Sequence, residues 1–193
     1  MNICIFGASS RKLDQAHYDA AYEFGTLAAR AGHTVIFGGG QEGVMGAAAR
    51  GVHDAGGRLI AIVPAYFNEP GVLFEGCDER IFTPTMRDRK ARMEELSDAF
   101  AALPGGIGTY EELFEMLTLK QLGRHGKAIA LLNTLGCWEP LLSLLNTAVK
   151  DGFVSAGVLE LLTVCDTPSE LLSAIESYVP TTGDLRRLED YCK

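Results

Sequence analysis

Apolar residues in this chain occur as short continuous runs that alternate with longer segments of helical periodicity. The runs predict strands at residues 2–6, 34–37, 58–63, 79–82, 98–103, 127–132 and 161–165. The periodic segments predict helices at residues 14–31, 44–55, 85–97, 109–122, 138–151 and 168–178. The pattern therefore predicts that strands and helices alternate along the chain.

This alternation predicts the fold class. The strands are uniformly apolar, as expected where helices cover both faces of a sheet. Repeated β-α units predict a doubly wound, mostly parallel α/β sheet of the Rossmann-like type in a single domain. We assign that domain to residues 1–179 and treat 180–193 as a polar C-terminal tail. Ligands of such sheets bind beyond the carboxyl ends of the strands, near the switch point.

The composition, the net charge and the cysteine pattern exclude several classes of protein. The chain has 193 residues, is 47% hydrophobic and 22% charged, and carries a net charge of −8. This argues for an ordinary globular protein and against a nucleic-acid partner. The cysteines, at 4, 77, 137, 165 and 192, are scattered and odd in number, which favours reduced thiols and a cytoplasmic location. No signal peptide is predicted, because the N-terminus MNICIFGASS has no basic region followed by a long apolar core. No membrane span is predicted, because the weakly charged segment 128–149 contains Gly136 and Pro140.

Residues 38–43, GGGQEG, formally match the dinucleotide pattern G-x-G-x-x-G. The match is weak, because the fingerprint belongs to the first β-α turn and needs an acidic residue after the next strand, which here ends Val63-Pro64. A tight turn with positive φ explains the glycines equally well. A third reading is close approach of the backbone to a smaller ligand, such as a mononucleotide.

A second glycine-rich loop, residues 104–108, leads from a strand into a helix. Converging backbone N–H groups at a helix N-terminus suit a phosphate. The loop is followed by Thr109-x-x-Glu112, which also matches a capping box. The same pattern occurs at Thr167-x-x-Glu170, and more loosely at Thr85-x-x-Asp88, so on its own it carries little information.

Four basic residues fall within 87–92 of this acidic chain. At about 100° per residue, Arg89 lies on the apolar stripe formed by Met86, Met93 and Leu96. A buried arginine needs an anionic partner, because an unpaired buried charge is very costly. That partner is either a structural carboxylate or a bound phosphate, which guanidinium groups grip bidentately.

Two motifs together carry a family resemblance: residues 86–90 match M-x-x-R-K, and residues 104–112 match P-G-G-x-G-T-x-x-E. The chain resembles the Lonely Guy (LOG) family of cytokinin-activating phosphoribohydrolases. Supporting matches lie at residues 7–10, 38–46, 97–106 and 121–123, and the resemblance covers about residues 1–179. It implies hydrolysis of the N-glycosidic bond of cytokinin riboside 5′-monophosphates, which are N6-modified AMP, to free cytokinin base and ribose 5-phosphate.

The resemblance also implies residue roles. Arg89 and Glu112 would be catalytic: the carboxylate would stabilise positive charge on the ribose and orient or deprotonate water, as in glycoside hydrolysis. The remaining substrate and phosphate contacts would come from Ser9, Gly39, Gly40, Met45, Lys90, Gly105, Gly106, Ile107, Gly108 and Thr109. No cofactor is expected. No metal is expected either, because the four histidines are dispersed and no H-E-x-x-H motif occurs. A homodimer with the site near its interface is implied by the resemblance alone.

Two other functions are also compatible with the sequence. A broader nucleotide 5′-monophosphate nucleosidase, acting on AMP or other bases, would share the phosphate and ribose machinery. A non-catalytic nucleotide or cofactor carrier could use the same fold. The presence of both Arg89 and Glu112 disfavours the carrier, which needs a phosphate loop but no such carboxylate. The family has often been labelled lysine decarboxylase, yet no lysine context here suggests a pyridoxal phosphate Schiff base.

Overall fold

A computed structural model describes residues 1–180 of the chain. The predicted polar tail lies outside the described residues, apart from Pro180. Seven strands are formed by Asn2–Phe6 (β1), Thr34–Phe37 (β2), Arg58–Pro64 (β3), Glu79–Thr83 (β4), Ala99–Ala102 (β5), Ala128–Leu132 (β6) and Thr163–Cys165 (β7). Six α-helices are formed by Gln15–Arg30 (α1), Gly43–Asp54 (α2), Met86–Leu96 (α3), Ile107–Gln121 (α4), Glu139–Lys150 (α5) and Pro168–Glu176 (α6).

The strands form one sheet in the order β4-β3-β2-β1-β5-β6-β7. Every pairing between these strands is parallel. The chain winds outward from β1 to the β4 edge, returns to β5 on the other side of β1, and then winds out to β7. The doubly wound α/β prediction is confirmed, and the switch point lies between β1 and β5, where Ile3 pairs with Val35 on one side and with Ala99 on the other.

Alternate strand residues point into two apolar layers. One layer includes Ile3 and Ile5 of β1 and packs against α1, α2 and α6. The other includes Cys4 and Phe6 and packs against α3, α4 and α5, with Trp138 at its far end. Helices therefore cover both faces, which explains why the central strands read as unbroken apolar runs.

Helices α1 and α2 approach each other through glycines. A Cβ added to Gly25 would lie 2.1 Å from the carbonyl oxygen of Ala48, and one added to Gly51 would lie 2.1 Å from that of Tyr22. Both obstacles are backbone atoms, which cannot move aside without separating the helices. This contact orients α2, whose first residues bound the candidate site described below.

Replacement of Gly51 by alanine is expected to lower the free energy of unfolding by about 1–3 kcal/mol, the usual cost of overpacking. Helix propensity alone would give the opposite sign, a gain of up to about 1 kcal/mol. Urea denaturation measures the difference. Gly126→Ala is the control, because the nearest atom to its added Cβ is 3.5 Å away. A Gly51→Ala protein as stable as the control would contradict the close approach.

Candidate active site

A cavity of about 600 Å³ lies at the carboxyl ends of the central strands. It is bounded by the loops after β1, β2, β3 and β5 and by the first turns of α3 and α4. The residues that line it are Gly7, Ala8, Ser9, Ser10, Gly38, Gly40, Met45, Pro64, Phe67, Val72, Leu73, Met86, Arg89, Gly106, Ile107, Gly108, Thr109 and Glu112. The site therefore lies where a doubly wound sheet is expected to bind its ligand.

Arg89 and Glu112 meet at this cavity from two different helices. Arg89 Nη1 lies 3.2 Å from Glu112 Oε1, and the two side chains are only 12% and 11% exposed. Arg89 Nε also donates to the Ile62 carbonyl oxygen at 3.2 Å, at the carboxyl end of β3. Of the two partners considered for a buried arginine, the structure provides the carboxylate.

The ionisation of Glu112 is strongly perturbed. The pKa of its carboxyl is raised from the ordinary value near 4.5 to about 7, mainly by burial; Arg89 and Lys90 oppose the rise, and the neighbouring Glu111 contributes to it. A carboxyl that titrates near neutral pH can hold or release a proton under physiological conditions. Such a group in a cavity is a candidate general acid or base.

The capping-box alternative for Thr109 and Glu112 is wrong. Helix α4 begins two residues earlier than predicted, with Gly106 as its N-cap, so Thr109 is the third helical residue. Glu112 is directed at Arg89 instead of the N-cap. The pattern at Thr167 and Glu170 does form a complete capping box at the start of α6.

The first turn of α4 forms one wall of the cavity. The N–H groups of Ile107, Gly108 and Thr109 lie in the first turn of the helix, where backbone donors lack intrahelical acceptors. Gly105 does not line the cavity; a Cβ there would lie 2.1 Å from Thr109 Oγ1, so glycine leaves room for the buried threonine side chain. The wall can therefore receive an anion on backbone donors and one hydroxyl.

The glycine loop after β2 forms a tight turn and also lets the backbone pass close to the Arg89 side chain. Gly39 has a φ of +84°, which confirms the tight-turn reading, and it does not line the cavity. A Cβ on Gly38 would lie 2.0 Å from Arg89 Nη2, so this glycine makes room for the guanidinium. Gly40 and Met45 line the cavity, and so does Ser9 from the loop after β1.

The Lys90 side chain lies outside the cavity, although the sequence predicts that it helps to hold the substrate. Its ammonium forms ion pairs with Glu111 and with Glu115, the latter at 2.6 Å, and it does not line the cavity. Its side chain is only 15% exposed. Arg89 and Lys90 are adjacent in sequence, but only Arg89 faces the candidate site.

Sequence reasoning missed an apolar wall of the cavity. The wall is formed by Pro64 at the end of β3, by Phe67, Val72 and Leu73 between β3 and β4, and by Met86 of α3. This segment is tied to the glycine loop, because the Phe74 N–H donates to the Gly39 carbonyl oxygen at 2.9 Å. The concentration of apolar residues in a segment that follows the carboxyl end of a strand is the sequence feature that could have predicted this wall. Neither Glu69 nor Glu75 of this loop lines the cavity.

The fold and site define a Rossmann-like α/β protein with a buried Arg–Glu pair beside a helix N-terminus suited to phosphate. A family model described as "Possible lysine decarboxylase" matches residues 45–175. The cytokinin riboside 5′-monophosphate phosphoribohydrolases LOG2 and LOG3 of Arabidopsis thaliana are 37% and 39% identical to this chain, over 94% and 92% of it and 85% and 83% of their own lengths. The LOG enzyme of Oryza sativa subsp. japonica is 38% identical over 92% of this chain and 74% of its own. The chain belongs to the LOG family, as the motifs predicted.

Solved structures with the same fold include molybdenum cofactor proteins. A molybdenum cofactor binding protein from Rippkaea orientalis has a TM-score of 0.68 at 22% identity, covering 91% of this chain and 94% of its own. The molybdenum cofactor carrier protein of Chlamydomonas reinhardtii has a TM-score of 0.67 at 23% identity, covering 91% and 95%. At these identities the similarity concerns the fold alone.

The site does not fit the chemistry in the family model's description. A pyridoxal phosphate decarboxylase requires a lysine that forms a Schiff base with the cofactor. No lysine is among the residues that line the cavity.

Within residues 1–180, no group of three or more histidine, cysteine or acidic side chains is placed to hold a metal ion. In the same residues, no helix has the length and apolar character needed to cross a membrane.

The raised pKa of Glu112 has a consequence for stability. Between its ordinary value near 4.5 and about 7, the folded protein retains a proton that the unfolded chain has released. The free energy of unfolding is therefore expected to fall as the pH is raised from about 5 to about 8, by at most about 3 kcal/mol from this group. Urea denaturation at the two pH values measures the fall.

Glu112→Gln, which cannot ionise, should show a smaller fall over the same pH range, although loss of the partner of Arg89 lowers its stability at every pH. The comparison therefore rests on the pH dependence and not on the absolute stability. Glu95→Gln is the control, since the Glu95 side chain is 66% exposed. An equal fall in the wild-type and Glu112→Gln proteins would contradict the raised pKa.

Proposed function

We propose that the protein hydrolyses the N-glycosidic bond of cytokinin riboside 5′-monophosphates, releasing the free base and ribose 5-phosphate. The observation that carries the proposal is the buried Glu112 carboxyl, with its pKa raised to about 7, paired with Arg89 in a cavity walled by the first turn of α4. The name and reaction of the LOG relatives point the same way.

In the proposed mechanism the bond between ribose C1′ and the base nitrogen breaks as water attacks C1′. Positive charge develops on the ribose, as in glycoside hydrolysis, and the carboxylate of Glu112 stabilises it. Glu112 takes a proton from the attacking water and releases it to solvent, and the departing base takes up a proton from solvent at its nitrogen, so that one water molecule is consumed and no proton is gained or lost. Arg89 favours the ionised carboxylate by its charge and fixes its orientation at 3.2 Å.

Substrate positioning is assigned to the cavity walls. The 5′-phosphate is proposed to bind the backbone N–H groups of residues 106–109 and the Thr109 hydroxyl, where the helix N-terminus favours an anion. Gly105 supports this wall by accommodating Thr109, and Ser9, Gly40 and Met45 also line the cavity. The apolar side chains of Pro64, Phe67, Val72 and Leu73 offer a surface to an apolar substituent on the base.

The assembly and location are proposals as well. We infer a homodimer with the cavity near its interface, as the family resemblance implies; Ile107, at the cavity, is 83% exposed and would gain an apolar environment there. A cytoplasmic location is favoured by the cysteines at 4, 77, 137 and 165, all of which are free thiols.

Incubation with isopentenyladenosine 5′-monophosphate is expected to release free isopentenyladenine, detected by chromatography. AMP and the unphosphorylated riboside are run in parallel. Release from the modified monophosphate but not from its riboside would support the phosphate wall, because only the monophosphate can use it. Faster release from AMP would replace the proposal by a general nucleotide nucleosidase. Tight nucleotide binding without release of base would replace it by a carrier.

Glu112→Gln is expected to reduce kcat by about 10³-fold, the range of general acid–base catalysis, while the protein stays folded. Glu170→Gln is the matched control, because Glu170 occupies the same T-x-x-E pattern but only caps α6. Initial rates of base release and circular dichroism are measured for both variants. Near-wild-type turnover by Glu112→Gln would remove Glu112 from the mechanism.

A further inference from the structure

Lys90 joins α3 to α4 immediately beside the Arg89–Glu112 pair. Its ammonium pairs with Glu111, the neighbour of Glu112, and lies 2.6 Å from Glu115 Oε2. Arg89 and Lys90 of α3 thus contact Glu112 and Glu111 of α4 as two adjacent cross-helix pairs. One pair faces the cavity and the other does not.

The first half of α4 carries three carboxylates close together. Glu111 and Glu115 are one turn apart on the same side of the helix, where like charges repel each other. Glu112 lies between them in sequence and is buried. A cation that neutralises Glu111 and Glu115 therefore relieves the repulsion on Glu112 as well, since charges at this range interact strongly where water is excluded.

We propose that Lys90 is a positioning residue for the reaction: it holds Glu111 and Glu115 in ion pairs, so that Glu112 loses its proton more readily and stays opposed to Arg89, and it makes no contact with substrate. The inference rests on the function proposed above. It differs from the sequence-based expectation that Lys90 helps to hold the substrate. The geometry favours the positioning role, because all the described contacts of the ammonium are with α4 and none is with the cavity.

The groups around Glu112 determine the direction of the effect. Arg89 and Lys90 face it from α3, Glu111 and Glu115 lie beside it on α4, and the buried Cys4 thiol faces it from β1. Burial raises the pKa of the Glu112 carboxyl, and so does Glu111, whereas Arg89 and Lys90 lower it. Removal of Lys90 takes away a positive charge and leaves Glu111 uncompensated. Both changes favour protonated Glu112.

Lys90→Met is expected to shift the acid limb of the kcat–pH profile to higher pH by about one unit. This corresponds to about a tenfold loss of kcat on that limb, because each pH unit changes the ionised fraction tenfold. KM should change by less than about twofold, since no substrate contact is removed. Lys90→Arg keeps the charge and should retain the wild-type acid limb, which provides a second variant if Lys90→Met folds poorly.

A double variant tests whether Lys90 acts through Glu111. In Lys90→Met/Glu111→Gln the uncompensated carboxylate is gone, so the acid limb should move back toward its wild-type position. Arg92→Met is the matched control: it removes one positive charge from the same helix, but within residues 1–180 the ion-pair partner of Arg92 is Glu95, at 2.5 Å, and not a carboxylate of α4. Its profile should match that of the wild type.

A second readout does not depend on turnover. The Glu112 carboxyl of the wild-type and Lys90→Met proteins is titrated by carbon NMR, and the variant should titrate at higher pH. An unchanged titration, or a raised KM with an unchanged acid limb, would overturn the positioning role and favour direct contact with substrate. Absence of base release from the wild-type protein would instead refute the proposed function, and the NMR comparison would still test the effect of Lys90 on Glu112.

Discussion

The contact between Arg89 and Glu112 is the constraint on which the rest of the site depends. Two charged groups are taken out of water, and their mutual attraction only partly offsets the cost of desolvation. A pair of well-packed apolar side chains would stabilise the same position at least as well. The retention of a carboxyl with its pKa near 7 at this position is therefore better explained by chemistry than by stability.

Several features of the fold serve this contact. Helix α3 follows the edge strand β4, and α4 follows β5 beside the switch point, so the pair joins the two halves of the winding. The loop after β2 can pass only because Gly38 leaves space for the guanidinium. The carboxyl end of β3 supplies the Ile62 carbonyl oxygen that fixes its Nε. The glycine-rich loop that resembled a dinucleotide fingerprint thus accommodates an arginine of the protein itself.

Sequence patterns predicted the fold well, because it is set by local burial. Strands β1 and β2 have the predicted bounds, since an apolar run bounded by glycine or polar residues leaves little choice of ends. The start of α4 was misplaced because Gly106 can serve as an N-cap without a side chain. Most of the apolar wall, formed by Phe67, Val72 and Leu73, lies in the segment between β3 and β4, where no sequence periodicity marks which side chains point inward.

Which residue of each adjacent charged pair faces the cavity could be decided only from the three-dimensional structure. Consecutive residues of a helix point about 100° apart, so adjacent charged side chains leave the helix in different directions. In Arg89-Lys90 and Glu111-Glu112 one member of each pair lines the cavity and the other lies beside it. Which member faces inward depends on how α3 and α4 are rotated against the sheet, and that rotation is set by buried residues such as Met93 and Leu113. The structure therefore places an inner pair, Arg89–Glu112, at the cavity and an outer pair, Lys90–Glu111, beside it, which is the arrangement that the proposed positioning role of Lys90 requires.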